Sequence, residues 1–301
     1  MKKEDCMSGL ARHVKSGLWF APAILLVALI YLYPILRTLG LSVLHFSLET
    51  GFRPRFAGLD NFIRILSDSR FIASLKVTTA FTVISVGLEF LLGLLSALAV
   101  ERIKRGRQAT RTLLLIPWTL PTAIIAVLWM WIFNDQYGVV NALLEKTGVI
   151  DAPIAWLGTP RTALFAVILA DVWKTFPFVF IVLLAGLQSI PRELYEAIEI
   201  DGGGAWHKFR HVVLPHLLPF LFLALIFRIV QAYAVFDLVY VLTGGGPAGA
   251  TETVSVYGYY TFMRYLDFGY GAALVVVLVG MLAAMAWLLC SLFLRKYEMG
   301  R

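Results

Sequence analysis

Five ionisable side chains lie inside long apolar runs: Glu89, Asp171, Lys174, Arg228 and Asp237. A charge held in hydrocarbon costs on the order of 2.5–3.5 kcal/mol on insertion scales, so each of them needs a partner or a task. Asp171, Lys174 and Thr175 fall three to four residues apart and share one face of a helix, and Arg228 with Gln231 repeats that spacing farther along. The two faces can meet. In one reading Asp171 and Arg228 neutralise each other and hold two helices together. In another the charges face a polar partner. Glu89 and Asp237 read as interhelical or interfacial groups rather than ligands.

Other chemistries find little support. Gly202 to Gly204 and Gly244 to Gly246 invite a phosphate-cradle reading, because backbone amides of a glycine loop bind phosphate oxygens, but neither run is followed by Gly-Lys-Ser/Thr. His13, His45, His207, His211 and His216 form no His-Glu-x-x-His set; His207 and His211 alone stand at helical spacing. Cys6 and Cys290, near opposite chain ends, read as free thiols rather than staples. The net charge of +7 comes without a basic stripe interleaved with aromatics, so nucleic acid is not an expected partner.

The elements that must position these residues are set by composition. Of 301 residues 59% are apolar and 15% charged, and the apolar ones come in separate runs long enough to cross a hydrocarbon core of about 30 Å. Helices alone let an open chain satisfy its backbone in lipid, and no run alternates with period two. The expectation is an all-α integral membrane protein with six transmembrane helices, at 18–44, 75–100, 112–133, 162–188, 212–242 and 270–294. A basic leader, 1–17, precedes a first helix too long and too poor in small residues to be a cleaved signal. The expected layout is then a first helix and outer loop at 18–74, a five-helix core at 75–295 and a tail at 296–301.

Lys and Arg counts give the orientation. One side holds Lys2, Lys3, Arg12, Lys15, Arg102, Lys104, Arg105, Arg107, Arg111, Arg192, Lys208, Arg210, Arg295, Lys296 and Arg301, fifteen in all. The other holds Arg37, Arg53, Arg55, Arg64, Arg70, Lys76, Lys146, Arg161 and Arg264, nine in all, so both termini are expected to be cytoplasmic. In the outer loop Asp60-Asn61 reads as the start of an amphipathic helical turn through Phe62, Ile63, Ile65 and Leu66 that rests on the membrane face. Pro117, Pro121, Pro177, Pro215 and Pro219 predict kinks, which suit a water-lined path or an ordinary kinked bundle.

Between the fourth and fifth runs, Pro191 to Pro215 reads as a short helix, a glycine turn and a second helix. Glu193, Glu196 and Glu199 recur along one side of the first helix, while Leu194, Ala197, Ile198 and Asp201 line another. Such a helix suits a groove on a partner; it also suits a plain connector lying on the membrane surface. Glu196, Ala197, Gly202, Leu214 and Pro215 match the spacing of the EAA loop of ABC importer permeases, with Ile198 in place of the second alanine and Val212 in place of the isoleucine before Leu-Pro. The chain therefore resembles that family. Leu242 to Pro247, Phe268 to Ala273 and the Trp118 to Asn141 stretch are similar to its sugar-type branch, as in the maltose and glycerol-phosphate transporters.

The resemblance implies a division of labour. This chain would be half of a type I path in a bacterial inner membrane, paired with a second homologous permease subunit. A cytosolic ATPase dimer using ATP and Mg would dock on the EAA segment (about 190–215, with Leu194, Glu196, Ala197, Ile198, Asp201, Gly202, Gly203, Phe209, Leu214 and Pro215). An extracytoplasmic binding protein would deliver a sugar-like solute. This chain would itself be no enzyme and bind no cofactor. The resemblance also places a solute site between the fourth and fifth helices, which assigns hydroxyl recognition to Asp171, Lys174, Thr175, Arg228 and Gln231, with Trp173, Phe178 and Tyr233 for stacking. Lys174 and Arg228 leave an anionic solute open. A secondary transporter would show an inverted repeat and an ion site, and a membrane enzyme a catalytic constellation; neither is evident.

Overall fold

A computed structural model describes residues 20 and 22–298, so the leader, Cys6 and half of the short tail, 299–301, lie outside the described residues. The long helices are α1 (Pro22–Ser42), α3 (Ser69–Arg102), α7 (Pro160–Gln188), α9 (Ala205–Tyr233) and α12 (Phe268–Glu298). Between them lie α2 (Asp60–Ser67), α4 (Arg107–Thr119), α5 (Thr122–Ile132), α6 (Val139–Lys146), α8 (Arg192–Ile200), α10 (Asp237–Leu242) and α11 (Val254–Tyr259), which runs on into a π-type turn. Among the described residues five helices are long and apolar enough to cross a membrane, and the bent pair α4 and α5 makes a sixth crossing if it counts as one.

That pair departs from the straight third helix expected at 112–133. Pro121 cannot donate a backbone hydrogen bond and forces Leu120 into an extended conformation (φ −79°, ψ 142°), so the chain turns by 94° there. Pro117, by contrast, is carried within α4. The fifth crossing also differs. It begins at Ala205, so the second helix of the glycine-turn segment runs straight into the span, and it stops at Tyr233 rather than 242, leaving Asp237 at the head of the separate α10. The second crossing begins at Ser69, ahead of the expected 75, because Asp68 caps it: its Oδ1 accepts from the amides of Arg70 (2.9 Å) and Phe71 (3.3 Å). At 34 residues α3 is about 51 Å long and outruns the hydrocarbon.

The chain divides into two compact units, residues 1–67 with 258–277 and residues 68–257 with 278–301. In the first, a two-residue antiparallel ribbon (β1, Leu44–His45; β2, Arg55–Phe56) departs from the all-helical expectation. Buried Asn61 donates through Nδ2 to the carbonyls of Ser42 (2.9 Å) and Leu44 (3.0 Å), and Arg64 pairs with Asp267 (3.0 Å) while lying over the Tyr270 ring. The amphipathic α2 forms as its sequence predicts, with Ile65 buried and Ile63 and Leu66 exposed.

In the second unit α3 and α7 make the most extensive helix contact. Ala97 and Val100 of α3, Val179 to Leu187 of α7, and Val212, Val213 and Leu217 of α9 form one apolar core. Two glycines let the backbones close. A Cβ on Gly93 would lie 2.8 Å from Val179 Cγ1 and 3.0 Å from the Phe180 amide, and one on Gly186 would lie 2.8 Å from Leu217 Cδ2. Near one end of α3, Arg70 holds Glu252 by two hydrogen bonds of 2.8 and 2.7 Å, tying the segment before α11 to that helix. Because overpacking a helix contact costs about 1–3 kcal/mol, Gly93→Leu is expected to lower the thermal unfolding midpoint of the purified protein in detergent. Gly87→Leu, whose added Cβ meets nothing within 4 Å, should leave it nearly unchanged.

Candidate functional site

Three helices converge on one buried guanidinium. Arg228 on α9 donates through Nε to Glu89 Oε2 (2.5 Å), through Nη2 to Glu89 Oε1 (2.8 Å) and Asp171 Oδ2 (3.2 Å), and through Nη1 to Gln231 Oε1 (2.8 Å). Glu89 comes from α3 and Asp171 from α7. The side chains of Arg228, Glu89 and Asp171 are 3%, 0% and 9% exposed, so the cluster is desolvated and its charges answer one another. Thr175 Oγ1 lies 2.8 Å from Glu89 Oε1 and 2.6 Å from the carbonyl oxygen of Asp171, one helical turn earlier.

Beside this cluster opens a polar cavity of about 290 Å3, lined by Trp118, Thr122, Asp171, Lys174, Thr175, Arg228, Gln231 and the 234–238 segment that includes Asp237. The break after Tyr233 creates much of that wall, since it turns Ala234 to Asp237 across the end of α9. Asp171, Lys174, Thr175, Arg228 and Gln231 are thus brought together as their spacing predicts. The expected stacking residues are not. Tyr233 is buried and lines a separate apolar groove with Phe90, Leu225 and Met285. Phe178 packs between Trp118 (5.9 Å) and Phe227 (4.9 Å), and Trp173 stands edge-on to Trp129. Their spacing put them on α7 and α9 but could not say which way the helices rotate. The aromatic rings that do line the cavity are Trp118 and Phe236.

Glu89 is the closest partner of Arg228, a pairing across 139 residues that the sequence reading, which offers Asp171 to Arg228, does not make. The signal available was the charge alone: a glutamate in the middle of an apolar run needs a cation, and Arg228 and Lys174 are two that stand in apolar runs farther along.

The glycine-turn segment forms a second site. α8 ends in a paired-bond cap: Gly203 N donates to Ile198 O (2.8 Å) and Gly202 N to Glu199 O (3.1 Å), with Gly202 at φ +76°, where a side chain is strained. A Cβ on Gly203 would collide with Ile198. Leu194, Tyr195, Ile198 and Phe209 pack on the apolar core, so the apolar side of α8 is spent on holding it to the bundle. Burial also pushes the Tyr195 hydroxyl up from its usual pKa. What faces outward is Glu193, Glu196, Ala197, Glu199 and Ile200, with Trp206 70% exposed nearby and Lys208 paired to Glu199. Asp201 caps α8, while Leu214 and Pro215 lie just beyond the π-type turn Phe209–Val213.

The model of the binding-protein-dependent transport system inner membrane component matches residues 89–296. The chain belongs to this family. Among its relatives, a trehalose/maltose transport system permease protein, MalF of Thermococcus litoralis, is 43% identical over 264 residues, 87% of this chain and 88% of that protein. The sulfoquinovosyl glycerol transport system permease protein SmoG of Agrobacterium fabrum is 38% identical over 269 residues, 89% and 87% of the two chains. The fold agrees: a chain of a bacterial ABC transporter involved in the import of the acidic polysaccharide alginate superposes with a TM-score of 0.83 at 23% identity, covering 96% of this chain and 98% of that one. The EAA-like spacing, the multi-pass helical fold and the inner-membrane family description therefore converge on a permease component.

Removing one member of a buried pair strands the other charge, which costs about 3–5 kcal/mol, whereas removing both costs less. Glu89→Gln and Arg228→Gln are each expected to destabilise this permease strongly. The double variant should lose clearly less than the sum, as read by a double-mutant cycle of thermal or denaturant unfolding in detergent.

Proposed function

We propose that this permease forms one half of the membrane path of an ATP-driven importer for a carbohydrate, with the cavity beside Arg228 on the solute route and α8 as its mechanical input. The observation that carries this is α8 itself: an exposed acidic edge on a helix whose apolar side is locked to the core of α3, α7 and α9. A helix held in this way moves the bundle when it is moved.

The partners follow from the family. A second permease subunit completes the path, two ATPase subunits that use ATP and Mg grip the outward face of α8 through Glu193, Glu196, Ala197 and Ile200, and an extracytoplasmic protein delivers the solute. The similar alginate transporter has been solved in complex with an alginate pentasaccharide-bound periplasmic protein, in keeping with that arrangement. Closure of the ATPase pair would shift α8 and rock α7 and α9, exposing the cavity to one side and then the other. Both chain ends, α8 and the arginine-rich turn before α4 would then be cytoplasmic, as the Lys/Arg distribution supports. A carbohydrate cargo is supported by the trehalose/maltose and sulfoquinovosyl glycerol names of the relatives and by the cavity, which offers hydroxyl, amide, carboxylate and ammonium groups beside the Trp118 ring.

Glu196→Lys places a cation on the exposed edge of α8 without touching its packed side. The variant is expected to fold and insert normally, yet to lose co-purifying ATPase and transport at least tenfold more slowly. Transport at the parental rate would overturn the coupling role. Gly202→Val, which forces a β-branched residue to positive φ at about 1–2 kcal/mol or more, should produce a milder loss of the same two signals.

A further inference from the structure

Two cations stand among the cavity's polar groups, and on sequence alone they leave an anionic solute open. The structure distributes them differently. All but one of the donor hydrogens of Arg228 are committed: Nε and Nη2 to Glu89 and Asp171, and one Nη1 hydrogen to Gln231. Its charge is answered from behind by Glu89, which is fully buried and does not line the cavity. Lys174, half-buried on the cavity wall, lies within electrostatic reach of two carboxylates, Asp171 and Asp237. Taken together, the cluster and the cavity hold three carboxylates, Glu89, Asp171 and Asp237, against two cations, Arg228 and Lys174, a formal balance of one net negative charge.

We infer that this cavity rejects anions, so that Asp237 and Asp171 are specificity-determining residues and the solute is an uncharged, hydroxyl-rich molecule rather than one bearing a phosphate, sulfonate or carboxylate. This rests on the cavity being part of the solute route. Hydroxyl groups suit both carboxylate acceptors and the Lys174 donor, whereas a solute anion would meet a guanidinium already held by two carboxylates with one Nη1 hydrogen to spare, or approach Lys174 past two like charges. Like-charge approach across a few ångströms in a partly buried site weakens binding by roughly tenfold or more.

The sign of the cavity can be read without knowing the solute. In the assembled transporter, with Cys6 and Cys290 of this chain replaced by serine, Thr122→Cys puts a thiol on the cavity wall, since Thr122 opens α5 and lines the cavity. The modification rate of this chain by cationic trimethylammonium-ethyl methanethiosulfonate is compared with that by anionic sulfonatoethyl methanethiosulfonate, each normalised to a small free thiol. The cationic reagent is expected to be favoured by roughly tenfold or more, and Asp237→Asn, which alters an exposed side chain, should bring the ratio back toward that of the free thiol. A ratio at or below the free-thiol value, or one indifferent to Asp237→Asn, would overturn the anion-rejecting assignment. No reaction with either reagent in a transporter that still hydrolyses ATP would instead overturn the placement of this cavity on the solute route.

Discussion

The second unit is organised around a desolvated guanidinium. Once Arg228 is buried inside the bundle, its charge must be met from elsewhere in the chain, and the two carboxylates that meet it sit on α3 and α7. Three helices are thereby fixed in rotation and height relative to one another, a specification that apolar packing alone gives poorly because leucine and valine surfaces tolerate sliding. Lipid makes the constraint stricter than water would, since a helix that drifted would strand a charge where nothing can solvate it. The glycine contacts at Gly93 and Gly186 then act within a register already set, letting α3 and α9 close on α7.

Much of this architecture is legible in the sequence. Long apolar runs fix the number and approximate place of the crossings, and the glutamates, glycines and Leu214-Pro215 of the α8 segment carry the family assignment that the comparisons bear out. Pro121 announces a break, but no residue announces its angle, which depends on what α4 and α5 rest against. The end of α9 is silent. Ala234, Val235 and Phe236 continue the apolar run with no glycine or proline, so the apolar pattern runs on to Leu242 although the helix stops at Tyr233. Glu89 was equally hard to place, because local periodicity relates residues three and four apart and has nothing to say about a partner on another helix.

The amphipathic pattern of α8 was legible, but the use of its two faces was not. A helix with an acidic and an apolar side is ordinarily read as offering the apolar side to whatever binds it. Here Leu194 and Ile198 are taken up by the core and the charged edge is left outside with Ile200 and Trp206. The same residues serve adhesion to the bundle and presentation to the exterior, divided by face.

The right-angled corner between α4 and α5 bears on how the chain enters its bilayer. The two arms are about 20 Å and about 16 Å long at 1.5 Å per residue, so neither crosses a hydrocarbon layer of about 30 Å unaided. The carbonyls freed at the corner have no place in lipid unless something covers them. α4 rests on α7 and α5 on α10, both of which are synthesised later. The main cover for this corner therefore comes from helices that leave the ribosome after it.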